Sequence, residues 1–387
     1  GQLDVNLRIA GTIAQPKLEG SANLVDAQLS APALKLELTQ LNIKAHSENG
    51  EKLVFRADAL VGDGKISGRG STLLDNNRGW PSELELAVER LDVGSLIERW
   101  LPPQMTVQGL IDGSANLNFR APENLTGEIR LSSSTGTLGY PLLEGERERW
   151  EYRDAKLVLS MNSRGIEASS EIQIGNNNSL NGQVYLPQAK VLALDTVSQS
   201  LQAKARLDFR ELELIEALLP EIEQLQGKLA LDLSADGTLA QPRLAGRAEI
   251  LEAALLVPRL GLTIDKISMT GASDNDGKFN FVVNASSGDG NLSIQGSSRL
   301  NAADGWPTTI NISGNNFEVS RIPEAAVKIS PDLAVKLQHQ KIDIEGDLLI
   351  PYAKLQPRDI TTAARVSDDT IIVGGAEVPE PKWIITT

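Results

Sequence analysis

The sequence contains no cysteine, and aromatic residues make up only 4% of its 387 residues. The absence of cysteine excludes a disulfide framework and any metal site or nucleophile that depends on a thiol. Hydrophobic residues nevertheless account for 41% of the chain. The apolar surface must therefore be built mainly from leucine, isoleucine, valine and alanine.

Positive charge is also scarce. The chain has 37 lysines and arginines against 51 aspartates and glutamates, which gives a net charge of -14 and a pI near 4.8. This balance argues against nucleic acid as a partner and against a polybasic membrane patch. The two histidines, His46 and His339, are too few for a histidine-based triad or metal site, so we expect no enzyme activity, metal or cofactor.

Long hydrophobic runs are missing as well. No stretch has the length of a membrane-spanning helix, and no signal peptide is present. The chain begins in a strand-like pattern at Gly1–Leu7. We therefore expect it to be a segment of a longer protein whose membrane anchor lies elsewhere.

The main positive feature is an internal repeat. Residues 227–307 align without a gap to residues 1–81, and roughly thirty aligned positions are identical. Gly237–Gly246 repeats Gly11–Gly20, and Trp306-Pro307 repeats Trp80-Pro81. This self-similarity predicts a repeat architecture.

The second feature is alternation of apolar and polar residues, which predicts strands with one apolar and one wet face. If the apolar sides form a ligand-accessible groove, the candidate groove-lining residues are the aliphatic and phenylalanine residues of these strands. In the first copy they are Leu3, Val5, Leu7, Leu34, Leu36, Leu38, Leu53 and Phe55. In the second copy they are Leu229, Leu231, Leu233, Leu260, Leu262, Ile264, Phe279, Phe281 and Val283.

Short helical signals punctuate the strands at Leu91–Pro102, Phe209–Pro220 and, more loosely, Phe317–Pro331. Glycines that follow these signals set a period of about 118 residues. We expect the units to be residues 1–108, a divergent unit 109–226, residues 227–345 and the start of a further unit at 346–387.

Two glycine-rich motifs favour turns over ligand sites. Gly62–Gly68 lacks the strand-loop-helix context of a phosphate loop, and Asp274–Gly277 lacks the remaining ligands of a calcium loop. Glu48–Gly50 is typical of a hairpin turn.

Together these patterns predict an all-β, elongated antiparallel sheet built from repeats, with a few short helices. A sheet with one apolar face must cover that face, and the sequence offers little material for a second layer. We therefore expect the sheet to fold over along its length and to leave an aliphatic groove.

Several motifs resemble the TamB family, the inner-membrane subunit of the translocation and assembly module of Gram-negative bacteria. They are Gly237–Gly246, Pro258–Leu262 with Ile267, Ile344–Gly346 with Ile350–Arg358, and Ser367–Asp369 with Ile371–Val373. The resemblance implies a periplasmic, folded-over β-sheet (a β-taco) with a lipid-sized groove. It also implies phospholipid transport towards the outer membrane and assembly of outer-membrane proteins with the partner TamA, through segments outside this chain.

Three functions remain open at this stage. The first is a conduit for phospholipid acyl chains; the second is a scaffold or chaperone that templates outer-membrane β-strands by strand addition. The third, a polysaccharide-processing enzyme, requires a recurrent acidic cluster with aromatic platforms, and the sequence has none.

Overall fold

The computed structural model describes residues 1–13, 15–31, 36–94, 105–120, 123–141, 147–216, 219, 221–274, 277–299, 305, 307–338, 341–356 and 384–386. These residues form an all-β protein in which nearly every strand pairs antiparallel with a neighbour. The chain divides into two compact units, one with residues 1–210 and 231–243 and the other with residues 211–230 and 244–387.

In the first unit, each strand from β1 to β12 pairs antiparallel with the next strand along the chain. The strands are β1 (Gln2–Gly11), β2 (Pro16–Ala31), β3 (Leu36–Glu48), β4 (Lys52–Val61), β5 (Gly64–Leu73), β6 (Ser82–Asp92), β7 (Thr106–Arg120), β8 (Asn124–Pro141), β9 (Arg147–Asn162), β10 (Gly165–Ile174), β11 (Asn178–Pro187) and β12 (Ser200–Phe209).

The next strand is β13 (Glu223–Thr238), whose residues the two units share. The remaining strands are β14 (Pro242–Val257), β15 (Leu262–Ser273), β16 (Lys278–Ser287), β17 (Gly290–Arg299), β18 (Thr308–Asn315), β19 (Phe317–Ile322), β20 (Ala325–Gln338), β21 (Lys341–Leu355) and β22 (Ile384–Thr386).

Pairing in the second unit is again antiparallel from β14 to β18. Strands β18 and β19 both pair with β20, one behind the other, and β20 pairs with β21. The short β22 is the exception, because it pairs parallel with Lys341–Asp343 of β21.

Helical structure is minor in the part of the chain that the structure describes. It comprises α1 (Glu213–Glu216), the helical residues Val93 and Gly94, and the 3-10 turns Asn76–Arg78, Val191–Ala193 and Pro258–Leu260. Of the predicted helical signals, Phe209–Pro220 thus yields one short turn of helix. Most of Leu91–Pro102 lies outside the described residues.

The helical interpretation of Phe317–Pro331 is wrong. Phe317 begins β19, and β20 starts at Ala325 and contains Pro331. Pro331 opposes Leu348 of β21. On the other side of β20 it lies in the break between Asp332, which pairs with β18, and Ile329, which pairs with β19. Proline is tolerated in strands at such irregularities, because there its missing N–H removes no ladder hydrogen bond.

The strand predicted to start at Leu260 also needs correction. Leu260 ends a 3-10 turn that Gly261 closes in the left-handed conformation at φ 60°, and β15 begins at Leu262. The glycine-rich motif Gly62–Gly68, by contrast, forms a hairpin turn between β4 and β5, as predicted.

The two copies of the repeat pair their strands in the same register. Ala57 opposes Gly68 in the first copy, and the aligned residues Val283 and Ile294 oppose each other in the second. The aligned left-handed residues agree too, since Asp26 has φ 53° and Glu252 has φ 52°. The sequence repeat is therefore also a repeat of strand pairing and backbone conformation, while the exact unit boundaries remain a prediction.

Candidate functional site

An unbroken line of apolar residues crosses the first unit, one residue per strand. Directly opposed residues of antiparallel strands lie on the same face of a sheet, so the strand register places all of them on one side. We call this line the first apolar row. It consists of Leu3, Leu24, Ile43, Ala57, Gly68, Leu86, Ala115, Ile129, Leu159, Ala168, Val184 and Ala203.

The adjacent line on the opposite face is polar. Each of its members neighbours a member of the first apolar row along a strand, and side chains of successive strand residues point to opposite faces. The line consists of Asp4, Asn23, Lys44, Arg56, Arg69, Glu85, Asn116, Glu128, Ser160, Glu167, Tyr185 and Gln202. The sheet is therefore two-faced across all twelve strands of this unit.

The second unit repeats the arrangement. Its apolar row runs from β14 to β20, and its members align with row members of the first copy through β18. We call it the second apolar row. It consists of Ile250, Met269, Val283, Ile294, Ile312 and Leu333.

The apolar rows are only partly buried. Leu3 is 66% exposed and Val184 is 38% exposed, although both are large aliphatic residues on the apolar face. Most other members are half-buried, and Ala115 is the member of the first row that is fully buried. An ordinary core would bury such residues, so this face retains apolar surface that a ligand could cover.

The strands bend where β-bulges interrupt the pairing. Asp26, Gln40, Arg90 and Asp154 have φ between 49° and 54°, and each lies within five residues of the apolar row, towards the same end of the strands. A left-handed residue in a bulge bends its strand and increases the local twist. The second unit has left-handed residues at the aligned positions Glu252, Lys266 and Asn316.

Side chains of the neighbouring strand fix these bulges. The Asn42 side chain accepts a hydrogen bond from the Asp26 N–H at 3.1 Å, and Asp112 Oδ1 accepts from the Arg90 N–H at 3.0 Å. In the second unit, Ser330 Oγ accepts from the Asn316 N–H at 3.0 Å. Each acceptor lies on the strand opposite the bulge. It accepts a hydrogen bond from a backbone N–H that lies where the regular pairing of the strands is interrupted.

The packed part of the apolar face lies at and beyond these bulges. Val93, Val107, Ile111 and Tyr152 form a buried cluster, in which Tyr152 is 3% exposed. The Tyr152 hydroxyl shares a 2.9 Å hydrogen bond with the hydroxyl of Ser133. The apolar face therefore has two zones, a packed zone at the bulges and an open zone along the rows.

Phenylalanine rings cover glycines in the open zone. A Cβ atom on Gly296 would lie 2.3 Å from the Phe281 ring, and one on Gly70 would lie 2.5 Å from the aligned Phe55 ring. Phe279 stacks on Phe281 with ring centroids 6.3 Å apart. Because glycine has no side chain, these rings can lie flat on the sheet, and the apolar surface rises little above the backbone at these positions.

The predicted groove-lining residues lie in both zones. Leu3, Val5 and Leu7 lie exposed on β1. Leu38 opposes Leu29 on β2. Leu34 lies outside the described residues, as does the side chain of Leu36.

The other predicted residues fall into three groups. Leu53, Leu229, Leu231, Ile264, Phe279, Phe281, Val283 and Phe55 are half-buried strand residues, and Leu233 is 37% exposed. Leu262 is 5% exposed, in the packed zone. Leu260 is exposed in its 3-10 turn.

Sequence reasoning missed most of the first apolar row. Leu86, Ile129 and Leu159 belong to strands that the pattern did not single out. Ile129 and Leu159 lie in residues 109–226, which diverge from the other copies, and Leu86 lies beyond the 81 residues of the gap-free repeat. Their alternation with Glu85, Glu128 and Ser160 was the available signal. Strand register, which sequence alone left open, is what aligns them into one row.

Charged groups form local contacts that have no catalytic arrangement. Lys328 donates a hydrogen bond to Asp289 and lowers the pKa of that carboxyl below its ordinary value. The Ser198 hydroxyl, with the backbone N–H groups of Val197 and Ser198, likewise lowers the pKa of Asp195. Within the described ranges, no three acidic or histidine side chains cluster as a metal site would require, and no helix is long and apolar enough to cross a membrane.

Comparison with known proteins adds family relationships to this geometry. The family model of the TamB N-terminal domain matches residues 75–250, and that of the TamB C-terminal domain matches residues 280–383. The translocation and assembly module subunit TamB of Haemophilus influenzae is 22% identical over 381 residues, which cover 94% of this chain and 26% of that protein. The chloroplastic protein TIC236 of Arabidopsis thaliana is 23% identical over 249 residues, which cover 62% of this chain and 11% of that protein.

The chain thus spans about a quarter or less of the length of these curated relatives. No solved structure matches it significantly. The two family models together account for most of the sequence, and the H. influenzae relative aligns over nearly all of it. By these matches, and consistent with its all-β antiparallel fold, the chain belongs to the TamB family.

Proposed function

We propose that the open zone of the apolar face carries phospholipid acyl chains between the inner and outer membranes. The observation that supports this most directly is the first apolar row, which runs without interruption across twelve strands and stays partly exposed. A sixteen-carbon chain in water is unfavourable by about 12 kcal/mol, at about 0.8 kcal/mol per methylene. A continuous aliphatic surface removes most of that cost.

In this proposal each unit folds over at its bulges, so that the open zone becomes the floor of a groove. The left-handed residues supply the bend, and the polar row faces water on the other side. The packed zone holds the fold together and leaves the rows free for ligand. The predicted groove-lining residues of the open zone, such as Leu3 and Phe281, then line this groove.

The chemistry of the row favours movement of a ligand over tight binding. Successive positions carry similar aliphatic side chains, so an acyl chain meets little change in free energy as it moves from strand to strand. The few aromatic rings lie flat on glycines rather than forming deep pockets. Direction of transport then comes from outside this segment.

We propose a periplasmic location, with TamA as the outer-membrane partner of the whole protein. The H. influenzae relative carries the name of a translocation and assembly module subunit. In this proposal the segment bridges the space between two membranes. Contact with TamA would involve parts of the protein beyond this chain.

The test places a photo-crosslinking amino acid in the chain and compares two adjacent residues of β11 that lie on opposite faces. Val184 belongs to the first apolar row, and Gln183 lies on the polar face. We expect crosslinks to phospholipid from position 184 and far fewer from position 183. Equal capture from both positions, in folded protein, would contradict the proposal.

A second candidate function is strand addition by a client polypeptide. Strand β21 supports it, because Leu348, Leu349 and Ile350 are more than half exposed, and within the described residues β22 pairs only with Lys341–Asp343. An exposed apolar edge strand is a template for another strand. A crosslinker at Leu349 distinguishes the functions, since strand addition predicts captured polypeptide there and lipid conduction predicts none.

A further inference from the structure

The second unit has a basic cleft at the ends of β16, β17, β18, β20 and β21. Its volume is about 1030 Å³. Among the described residues, four cationic side chains from the polar face line it, namely Lys278, Arg299, Lys336 and Lys341, with Asp343 as the acidic member. In a chain with a net charge of -14, this local excess of positive charge is unusual.

The cations of the cleft are poorly neutralised. Lys341 Nζ lies 3.0 Å from Asp343 Oδ1, whereas Lys278, Arg299 and Lys336 form no ion pair with any residue that the structure describes. Lys278 directly opposes Arg299 in the β16–β17 register. Like charges in opposed positions destabilise a sheet, and a bound anion would relieve that repulsion.

The repeat supplies an internal comparison. The first unit has a cleft of about 370 Å³ at the aligned place, whose charged lining residues are Lys52, Arg120 and Glu83. Its neutral lining residues include Leu73, Asn118 and Asn124. Lys52 opposes Leu73 just as Lys278 opposes Arg299.

The other two cations are also specific to the second cleft. Lys336 opposes Thr309 in the second unit, and the corresponding residue of the first unit is Asn118, which opposes Glu83. Lys341 opposes Gln338, and the corresponding residue of the first unit is Asn124, which opposes Arg120. The backbone framework is thus shared, but the second cleft has four cationic lining residues where the first has two, Lys52 and Arg120. Three cations of the second cleft replace neutral residues of the first, and Gln338 replaces Arg120. The positive charge is not a by-product of the strand architecture.

We infer that this cleft binds phosphate groups. A guanidinium binds phosphate through two parallel hydrogen bonds, and lysine ammonium groups add point charges around the same ligand. Arg299 on β17 and Lys336 on β20 are the two central cations of the cleft. Lys278 and Lys341 lie on the outer strands, four strand spacings or roughly 19 Å apart, and add positive charge around the bound phosphate. The four cationic side chains lie on the opposite face from the second apolar row, so phosphate binding here does not require the proposed acyl-chain binding.

The test uses the 387-residue chain and takes its substitutions from the repeat. The double variant R299L/K336N places the first unit's residues on the same framework, where that framework already accommodates them. We expect inorganic phosphate, at constant ionic strength, to raise the Tm of the wild type, because a ligand that binds the folded state stabilises it. The apparent affinity for phosphate should fall by roughly tenfold or more in the double variant.

The reciprocal variant L73R/N118K keeps the test decisive if the first variant unfolds. It introduces the two cations into the first unit, and a larger phosphate-dependent rise in Tm than in the wild type is expected. The assignment is overturned if phosphate raises the Tm equally in the wild type and in both folded variants, and if these proteins also bind equally to the vesicles described next.

Vesicles distinguish a lipid headgroup from a free phosphate ion. Co-sedimentation with phosphatidylglycerol vesicles, compared with phosphatidylcholine vesicles, measures recognition of phosphate at an anionic surface. If R299L/K336N loses binding to phosphatidylglycerol vesicles and free phosphate does not raise the Tm of the wild type, the ligand is a lipid headgroup. If R299L/K336N loses only the rise in Tm with free phosphate, the ligand is a soluble phosphate. If R299L/K336N changes neither measurement, the inference is wrong, whatever the result of the acyl-chain crosslinking at position 184.

Discussion

The backbone N–H of Arg90 donates a 3.0 Å hydrogen bond to Oδ1 of Asp112 on the neighbouring strand. Arg90 is the left-handed residue of a bulge in β6, and Asp112 faces that bulge from β7. The same relationship joins Asn316 and Ser330 in the second unit, with a hydroxyl in place of the carboxylate. Each bend in the sheet therefore depends on two residues. One adopts the left-handed conformation, and the side chain of the other accepts a hydrogen bond from its backbone N–H.

Removal of this acceptor should destabilise the bend. We expect Asp112→Ala to lower the free energy of unfolding by about 1 kcal/mol, the net contribution of one hydrogen bond. Asp112→Asn is the matched control, because its amide oxygen can still accept from Arg90, and it should retain most of the stability. Urea unfolding checks both, and equal losses in the two variants would show that the acceptor oxygen is not what matters.

The two zones of the apolar face should differ in their sensitivity to truncation. Leu262 is 5% exposed and Leu3 is 66% exposed. We expect Leu262→Ala to cost about 2–4 kcal/mol, because it leaves a cavity in the packed zone. Leu3→Ala should cost well under about 1 kcal/mol, since its side chain is already largely in water. Comparable losses in chemical denaturation would mean that the open zone is packed like a core.

The glycine beneath Phe281 should resist even the smallest side chain. A Cβ at position 296 would lie 2.3 Å from the ring, so Gly296→Ala must lift the phenylalanine from the sheet. We expect a loss of about 1–3 kcal/mol from overpacking, together with weaker acyl-chain binding. Gly182→Ala is the control, since its Cβ would meet only the flexible Ser170 hydroxyl, at 2.8 Å. Thermal melts and binding of a fluorescent fatty acid measure both effects, and a fully stable Gly296→Ala protein would contradict the geometry.

The Asp289–Lys328 contact predicts a dependence of stability on acid pH. The pKa of Asp289 is lowered in the folded protein below its ordinary value of 3.8, chiefly by the hydrogen bond from Lys328. The ionised carboxylate therefore favours folding above pH 3.8, and this contribution is lost as the pH falls through the lower folded pKa.

Asp289→Asn should remove that part of the acid sensitivity. Asp63→Asn is the matched control at the aligned hairpin turn, where the described residues give Asp63 no ion pair. The measurement is the Tm as a function of pH between about 2 and 5, a range chosen to bracket the ordinary aspartate pKa. If the two variants lose stability with falling pH in the same way, the Lys328 contact has no thermodynamic weight.

The sequence by itself determined the strands and their repeat. Alternation at positions such as Phe279, Phe281 and Val283 requires a strand with one apolar face, because successive side chains point to opposite sides. The aligned turn glycines fixed the hairpin that joins β4 to β5. The same local logic failed at Phe317–Pro331, where the helical interpretation missed a break between two strands that share one partner.

Only the tertiary structure decided which apolar residues form one surface and where that surface is open. In the sequence, Leu86, Leu159 and Leu262 are all leucines of alternating strands. Strand register places Leu86 and Leu159 in a partly exposed row, whereas Leu262 is buried close to a bulge. The basic cleft was hidden for the same reason, because Lys278, Arg299, Lys336 and Lys341 are dispersed in a strongly acidic chain. Alternation is a property of each strand alone, whereas register and bulges arise from hydrogen bonds between strands, and these decide which side chains meet.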